Sequence, residues 1–334
     1  MTYDVVKLNF VTPLHLSGGR MDAYDQSEEV LHSDTIKSAL FVMARKLFGD
    51  EIDQSFLDAF SVSSAMPYYG DEYFFPKPML RIGNPQSNDA SKGKFIKKLA
   101  YFNLPVFEKI LSGVPFNLDI ERTDASGRFY FSTSGHTKED ILVSQVQQRF
   151  AAPKADERDG TPYYVDRIYF TEKAGLYFLI QYHNKEFEAK IKAAIRLLGD
   201  EGVGTDRAVG NGQFKPVFGE SLSIQAPAHA NGHLNLSLFC PTQVAMESHL
   251  LQNSAYQLMK RGGYIASPEN PRFMTFRKRT IFMFAEGSVF PKGMDMEGKL
   301  VDLQPIKEKI QGLTHPIWRE GRPISIPVNI TNNV

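Results

Sequence analysis

Apolar positions recur along the chain with two periods, and each change of period marks an element. Over residues 3–11, Val6, Leu8 and Phe10 alternate with Val5, Lys7 and Asn9, the two-residue repeat of a strand. A loop over 13–29 follows. Ser33 then has the chemistry of a helix N-cap, and Ile36, Leu40, Met43 and Leu47 recur at helical spacing up to Gly49, predicting an amphipathic helix. A short helix is expected over 54–60. Prolines and lysines break the pattern from 68 to 120, which is assigned only loosely. Residues 128–133, 163–170 and the nearly unbroken apolar run 176–182 read as strands. A second helix is expected over 185–198: Phe187, Ile191, Ala194 and Leu198 share a face, Glu186 and Glu188 sit in its first turn, and Gly199 ends it.

This order predicts an α+β fold: a ferredoxin-like, RRM-like βαββαβ domain over 1–224 with a large insertion. The polar stretch 225–232 reads as a connector. Beyond it, 234–239, 280–284 and 324–330 predict strands of a smaller, mainly β domain over 233–334.

Composition narrows the function. At 334 residues two cores are expected, and 42% apolar with 23% charged residues is ordinary for a soluble globular protein. The chain has no run of 18 apolar residues, its N-terminus lacks the layout of a signal peptide, and Cys240 is its single cysteine. A cytoplasmic protein without internal disulfides is expected, and the sequons at Asn235 and Asn329 then carry little weight. Lys and Arg total 38 and so do Asp and Glu, which argues against a non-specific nucleic-acid binder held by bulk charge. Charge is locally uneven: Lys92, Lys94, Lys97 and Lys98 cluster, as do Arg272, Arg277, Lys278 and Arg279, while Asp22, Asp25, Glu28 and Glu29 form an acidic stretch. A solvated surface is the plain reading of each.

The most informative segment is Gly202-Val-Gly204-Thr-Asp-Arg207-Ala-Val-Gly210-Asn-Gly212-Gln-Phe214. Its glycines permit positive φ and close approach, successive N–H groups can form an anion-binding nest, and Arg207 can add a phosphate contact. The segment follows a helix and places Arg207 where a Rossmann fingerprint needs its last glycine, and no Walker Gly-Lys-Ser/Thr is present. A tight connection without a ligand stays open as the alternative.

This segment resembles the glycine-rich loop of the RAMP superfamily of CRISPR proteins. Pro13-Leu-His15-Leu-Ser-Gly18 is similar to the end of the first strand in that superfamily, and Leu31-His32-Ser33-Asp34-Thr35 to the start of its first helix. Three further stretches resemble the family of fourth subunits of the type III-A (Csm) interference complex: 256–264 with Arg261-Gly262-Gly263-Tyr264, 284–290 with Glu286-Gly287-Ser288, and 315–321 with Trp318-Arg319-Glu320-Gly321. The resemblance implies a non-catalytic subunit that binds the repeat-derived 5′ handle of the CRISPR RNA (crRNA). It also implies two protein partners, a large polymerase-like subunit and a neighbouring RAMP subunit of the backbone. Its implied RNA contacts are His15, Ser17, Gly18, Ser33, Lys37, Gly204, Thr205, Arg207, Gly210 and Asn211. No cofactor is implied.

Residues 147–169 supply Arg149, Phe150, Arg158, Tyr163, Tyr164 and Arg167, and read as a projecting hairpin, or thumb, able to wedge between nucleotides. Arg149 and Arg167 join the candidate RNA contacts.

Other readings remain. Some members of the superfamily cut repeat RNA without metal, and His15 or His32 with Lys37 or Tyr24 supplies the residue types for that chemistry. Gly127-Arg-Phe-Tyr-Phe131 faintly echoes the aromatic strand of a true RRM. His229 and His233 are spaced like metal ligands but lie in the connector, so no metal site is expected. Asp34 reads as a helix-dipole partner. Tyr264, Phe273, Phe276 and Trp318, interleaved with Arg272, Arg277, Arg279 and Arg319, have the composition of interface anchors.

Overall fold

The structure is a computed structural model and describes residues 1–17, 24–82, 90–135, 139–151, 160–247, 250–266, 271–305, 310, 312–313 and 316–330. The N-terminal part runs β1 (Thr2–Phe10), α1 (Ser33–Phe48), α2 (Gln54–Asp58), β2 (Phe60–Val62), β3 (Met66–Tyr69), β4 (Glu72–Pro76), α3 (Ala90–Lys98), β5 (Tyr101–Asn103) and α4 (Leu104–Leu111). It continues through β6 (Phe129–Tyr130), β7 (Leu142–Ala151), β8 (Thr161–Phe170), β9 (Ala174–Tyr182), α5 (Glu188–Glu201) and β10 (Phe214–Ser223). Beyond the connector lie β11 (Gly232–Asn235), α6 (Gln243–Glu247), β12 (Leu258–Arg261), β13 (Ile281–Phe284), β14 (Val289–Pro291), β15 (Val301–Asp302), β16 (Trp318–Arg319) and β17 (Ser325–Val328).

One large sheet carries the molecule, in the order β10-β1-β9-β3-β4-β5-β6, with β2 also pairing to β9. β1 is antiparallel to both neighbours, pairing Leu8 with Pro216 of β10 and with Leu176 of β9. Both faces of its centre are covered. Val6, Leu8, Leu176, Phe178 and Ile180 pack with Ile36, Leu40 and Met43 of α1 and Ile191, Ala194 and Leu198 of α5. Tyr3, Val5, Tyr177 and Leu179 pack on the other side with Phe107 of α4 and with Leu234, Leu236, Ile326 and Val328 from beyond the connector. β9 therefore reads as an apolar run rather than an alternation, because each of its faces meets a core.

Several boundaries differ from those expected. Ser33 is the first helical residue and His32 occupies the N-cap; the Ser33 hydroxyl accepts the Leu238 N–H at 3.0 Å. The second helix passes through Gly199 and ends at Gly202, with φ +82°. Gly199 is needed for packing, since a Cβ there would lie 2.4 Å from the Phe214 carbonyl oxygen. Within 128–133 only Phe129–Tyr130 is strand, and the 54–60 segment is split between α2 and β2. The loosely assigned 68–120 stretch holds β4, α3, β5 and α4.

β7 and β8 pair along their full length, Leu142 with Phe170 through Ala151 with Thr161. Val143, Val146, Phe150 and Tyr164 lie exposed on this hairpin. Arg158 falls outside the described residues.

Candidate nucleic-acid interface

The glycine segment is a clasp on the chain that leaves β1. Gly204 takes φ +92°, and a Cβ there would lie 2.3 Å from the His15 carbonyl oxygen; at Gly212 it would lie 1.9 Å from that of Val203. Thr205 N–H donates to His15 O at 3.0 Å, Gly212 N–H to Pro13 O at 2.8 Å, and Val203 N–H to Gly212 O at 3.0 Å. Gly210 and Asn211 N–H groups bond to Arg207 O and Asp206 O. Those peptide nitrogens are satisfied at home, so the anion-nest reading of the whole segment is corrected. The glycines serve close packing, and the exposed part is the tip Arg207–Val209. Asp206 opens the tip at φ +61°, a left-handed position that aspartate tolerates better than most residues.

The structure separates the expected contacts into three groups. Ser17, Gly204, Thr205 and Arg207 line one wall of a cavity of about 560 Å³. Ser33, Lys37 and Asn211 are enclosed. Lys37 is 1% exposed and its ammonium donates to Leu57 O, Phe60 O and Glu320 Oε2; Ser33 is held by Leu238 and Ser64; the Asn211 amide turns back to Asp206 O. These side chains are removed from the RNA-facing set. Gly18 lies outside the described residues. His15 is also enclosed: its Nδ1 lies 2.6 Å from Asp166 O, and Tyr24 stacks on its ring at 6.2 Å. Its Nε2 has no partner among the described residues.

On the hairpin, Arg149 is half-buried. Arg167 is 7% exposed and, among the described residues, holds only a 3.4 Å contact from Nη1 to Gln147 Oε1, with Nε and Nη2 unpaired.

The opposite cavity wall was not recognised in the sequence. It comes from Lys260, Arg261, Gly262, Gly263, Arg277, Lys278 and Arg319, and Glu28 is the one carboxylate among the described lining residues. The signal was present, since Arg277 and Lys278 belong to a visible basic cluster, but nothing local brings that cluster opposite residue 207. Behind this wall Asp34 binds Arg261 through both carboxylate oxygens, at 2.9 and 3.0 Å, and Arg319 at 2.5 Å. Burial opposes its ionisation, yet the two guanidinium groups hold its carboxyl well below the usual range. Asp34 is thus an ion-pair hub more than a helix-dipole partner.

His32 sits between Glu286 at 2.8 Å and Glu28 at 3.4 Å. Burial disfavours its charge, but the two carboxylates prevail and push its pKa up to about 9. A cation at neutral pH is a poor general base, and Lys37 is locked in an ion pair, so His32 and Lys37 are not set up as a general-base pair. The RRM echo also fails, because Phe129 and Phe131 are buried edge-on against Phe74 rather than displayed. Among the described residues no group of three possible metal ligands occurs, and no helix is long and apolar enough to cross a membrane.

Two residues of the acidic stretch find partners within the chain, Glu29 with Arg128 and Glu28 with His32, and Asp22 lies outside the described residues. Phe273 is core, packed with Ile265, Leu303 and Ile317, so it is not an interface anchor. Tyr264 is exposed beneath the Arg277 guanidinium, 5.5 Å from its ring centre.

Comparison with known proteins places this geometry. The model of the RAMP superfamily matches residues 7–215, and that of the CRISPR Csm4 C-terminal domain matches 228–328. CRISPR system Cms protein Csm4 of Methanocaldococcus jannaschii is 24% identical over 97% of this chain and 97% of its own length. Among solved structures, a chain of the Csm3–Csm4 subcomplex of the type III-A CRISPR–Cas interference complex covers 98% of this chain and 99% of its own, at TM-score 0.65 and 22% identity. A chain of a Csm1–Csm4 cassette in complex with pppApA covers 99% and 100%, at TM-score 0.64 and 21% identity. The chain belongs to the RAMP superfamily of CRISPR proteins and, within it, to the Csm4 family.

Proposed function

We propose that this chain is a non-catalytic subunit of a cytoplasmic type III-A effector complex. It holds the 5′ handle of the crRNA and joins a large polymerase-like subunit to the backbone of RAMP subunits. The observation that carries this reading is the cavity: on a chain with no net charge, Arg207 at the glycine-loop tip faces Lys260, Arg277 and Lys278 across a recess. A few placed cations suit a single strand better than a diffuse basic surface. The family supports the partners, since relatives occur in Csm1–Csm4 and Csm3–Csm4 assemblies.

In this reading 1–224 is a ferredoxin-like domain, supported by the antiparallel order β10-β1-β9-β3 with α1 and α5 on one face. Residues 233–334 form the second domain, which closes the cavity. The β7–β8 hairpin is the thumb inserted in the first domain. RNA contacts come from Ser17, Gly204, Thr205 and Arg207, with Arg149 and Arg167 on the hairpin.

Replacing Arg207 tests this. In the complex assembled with its neighbours, Arg207→Glu should weaken crRNA binding by about 2 kcal/mol, the scale of a lost charge-assisted contact. Unchanged affinity would remove the loop tip from the interface. Incubated with repeat RNA in the absence of metal, the purified chain should leave it intact.

A further inference from the structure

One wall of the cavity carries cationic donors without acceptors among the described residues. Lys278 follows the exposed Arg277, and its backbone N–H is fixed to Gly263 O at 2.9 Å. It lines both the main cavity and a smaller adjoining one of about 60 Å³. The groups facing it are Arg319 from β16, Arg261 from β12 and Asp34 from α1. Lys37 and Glu320 line the smaller cavity but are committed to each other at 2.9 Å. The Asp34 carboxylate already accepts from both arginines and from the Thr35 side. Among the described residues, no acceptor answers the Lys278 ammonium.

A second orphan lies beside it. Arg319 is 5% exposed, gives Nη1 to Asp34 and Nη2 to Gly262 O, and leaves Nε buried without a partner among the described residues. Three cations thus share one carboxylate on this wall, with the Lys278 side chain half-exposed, and an anion would balance the excess positive charge. The electrostatics agree: burial first, then Arg319, push the Lys278 pKa down to about 7, with Asp34 opposing and Arg261 adding a smaller push downward. A volume of about 560 Å³ is within the range of small-ligand sites and takes a nucleotide.

We propose that Lys278, backed by Arg319, forms a seat for one phosphate group of a ribonucleotide lodged in this cavity, opposite Thr205 and Arg207. The inference rests on the RNA-binding reading above and specifies where the strand is gripped. A phosphate is favoured over a protein carboxylate because Arg207, Lys260 and Arg277 continue the positive lining outward, as a polyanionic strand requires.

The test uses the assembled complex and one short handle-sequence RNA, made with either a 5′-hydroxyl or a 5′-phosphate. Lys278→Met should weaken binding about tenfold, the loss of one charge-assisted contact. Anion binding favours the protonated lysine. Wild-type affinity for the 5′-hydroxyl RNA, whose phosphodiesters do not titrate here, should therefore be highest below pH 7 and fall by pH 8.5. Lys278→Arg should keep the affinity and lose that slope. A tenfold loss with both RNAs assigns the seat to an internal phosphodiester; a loss confined to the 5′-phosphate RNA assigns it to the terminus.

In the wild-type complex, amine acylation of Lys278 at pH 7.5 should be fast without RNA and suppressed with it, a readout independent of any variant's folding. If Lys278→Met changes neither affinity nor slope, and RNA leaves acylation unaltered, the seat is wrong even where Arg207→Glu still weakens binding. If the wild-type complex binds no handle RNA, the seat and the wider RNA reading fall together.

Discussion

At the scale of single residues, the first turn of α1 is held by ion pairs that reach across most of the chain. His32 meets Glu286, Asp34 meets Arg261 and Arg319, and Lys37 meets Glu320. Asp34→Asn would strand the buried Arg319 and the half-buried Arg261 guanidinium groups and should destabilise the fold by about 3–5 kcal/mol, measured by denaturant unfolding. His32 gives a pH signature. Its pKa is about 9 in the fold against the usual 6.5, so its stabilisation is complete below 6.5 and is lost as pH rises through 9. The stability difference between wild type and His32→Gln should therefore shrink from pH 6 to pH 9.5, by on the order of 3 kcal/mol. Lys278 is displaced the opposite way and contributes the opposite slope, so the comparison with the variant isolates His32. None of these partnerships was legible in the sequence. Asp34 looked like a dipole partner and Lys37 like an RNA contact because a one-dimensional reading sees their helix turn and not charged partners more than 200 residues away.

At the scale of elements, legibility followed length and burial. α1 and α5 were visible because their apolar faces repeat over three or more turns, and β9 because both its faces are covered. β3, β4 and β5 are three to five residues long and owe their existence to pairing that begins on β9, about a hundred residues downstream of β3, so no local pattern announces them. The glycine segment was located correctly and misread in detail: four glycines suggested a nest, whereas three of them admit a neighbouring backbone. Gly204→Ala combines positive φ with a 2.3 Å clash on His15 O and should cost about 2–4 kcal/mol, while Gly210→Ala, with open space around it, should cost only about 1. Thermal unfolding of the two variants separates clasp from turn. On the hairpin, Phe150 and Tyr164 are exposed, so alanine there should alter stability by less than about 0.5 kcal/mol. The same changes should weaken RNA binding by about 1–3 kcal/mol if bases stack on those rings.

At the scale of the whole molecule, neutrality and the proposed RNA binding are reconciled by position. Positive charge gathers where the glycine-loop tip meets the segment beyond the connector, while the acidic residues 28 and 29 are paired within the chain. The mixed fold and the hairpin could be read from element order; the cavity could not, because its two walls come from segments about fifty to three hundred residues apart. With three or four cations in contact, the salt dependence of binding should be shallow, about −2 to −3 in log–log slope for a single strand. Crosslinking the RNA that co-purifies with the assembled complex tests the central claim most directly. RNA of uniform 5′ end should be recovered, with adducts joining nucleotides of its 5′ handle to peptides containing Thr205–Arg207 and Arg277–Lys278. RNA with ragged 5′ ends, or adducts that avoid both cavity walls, would contradict it.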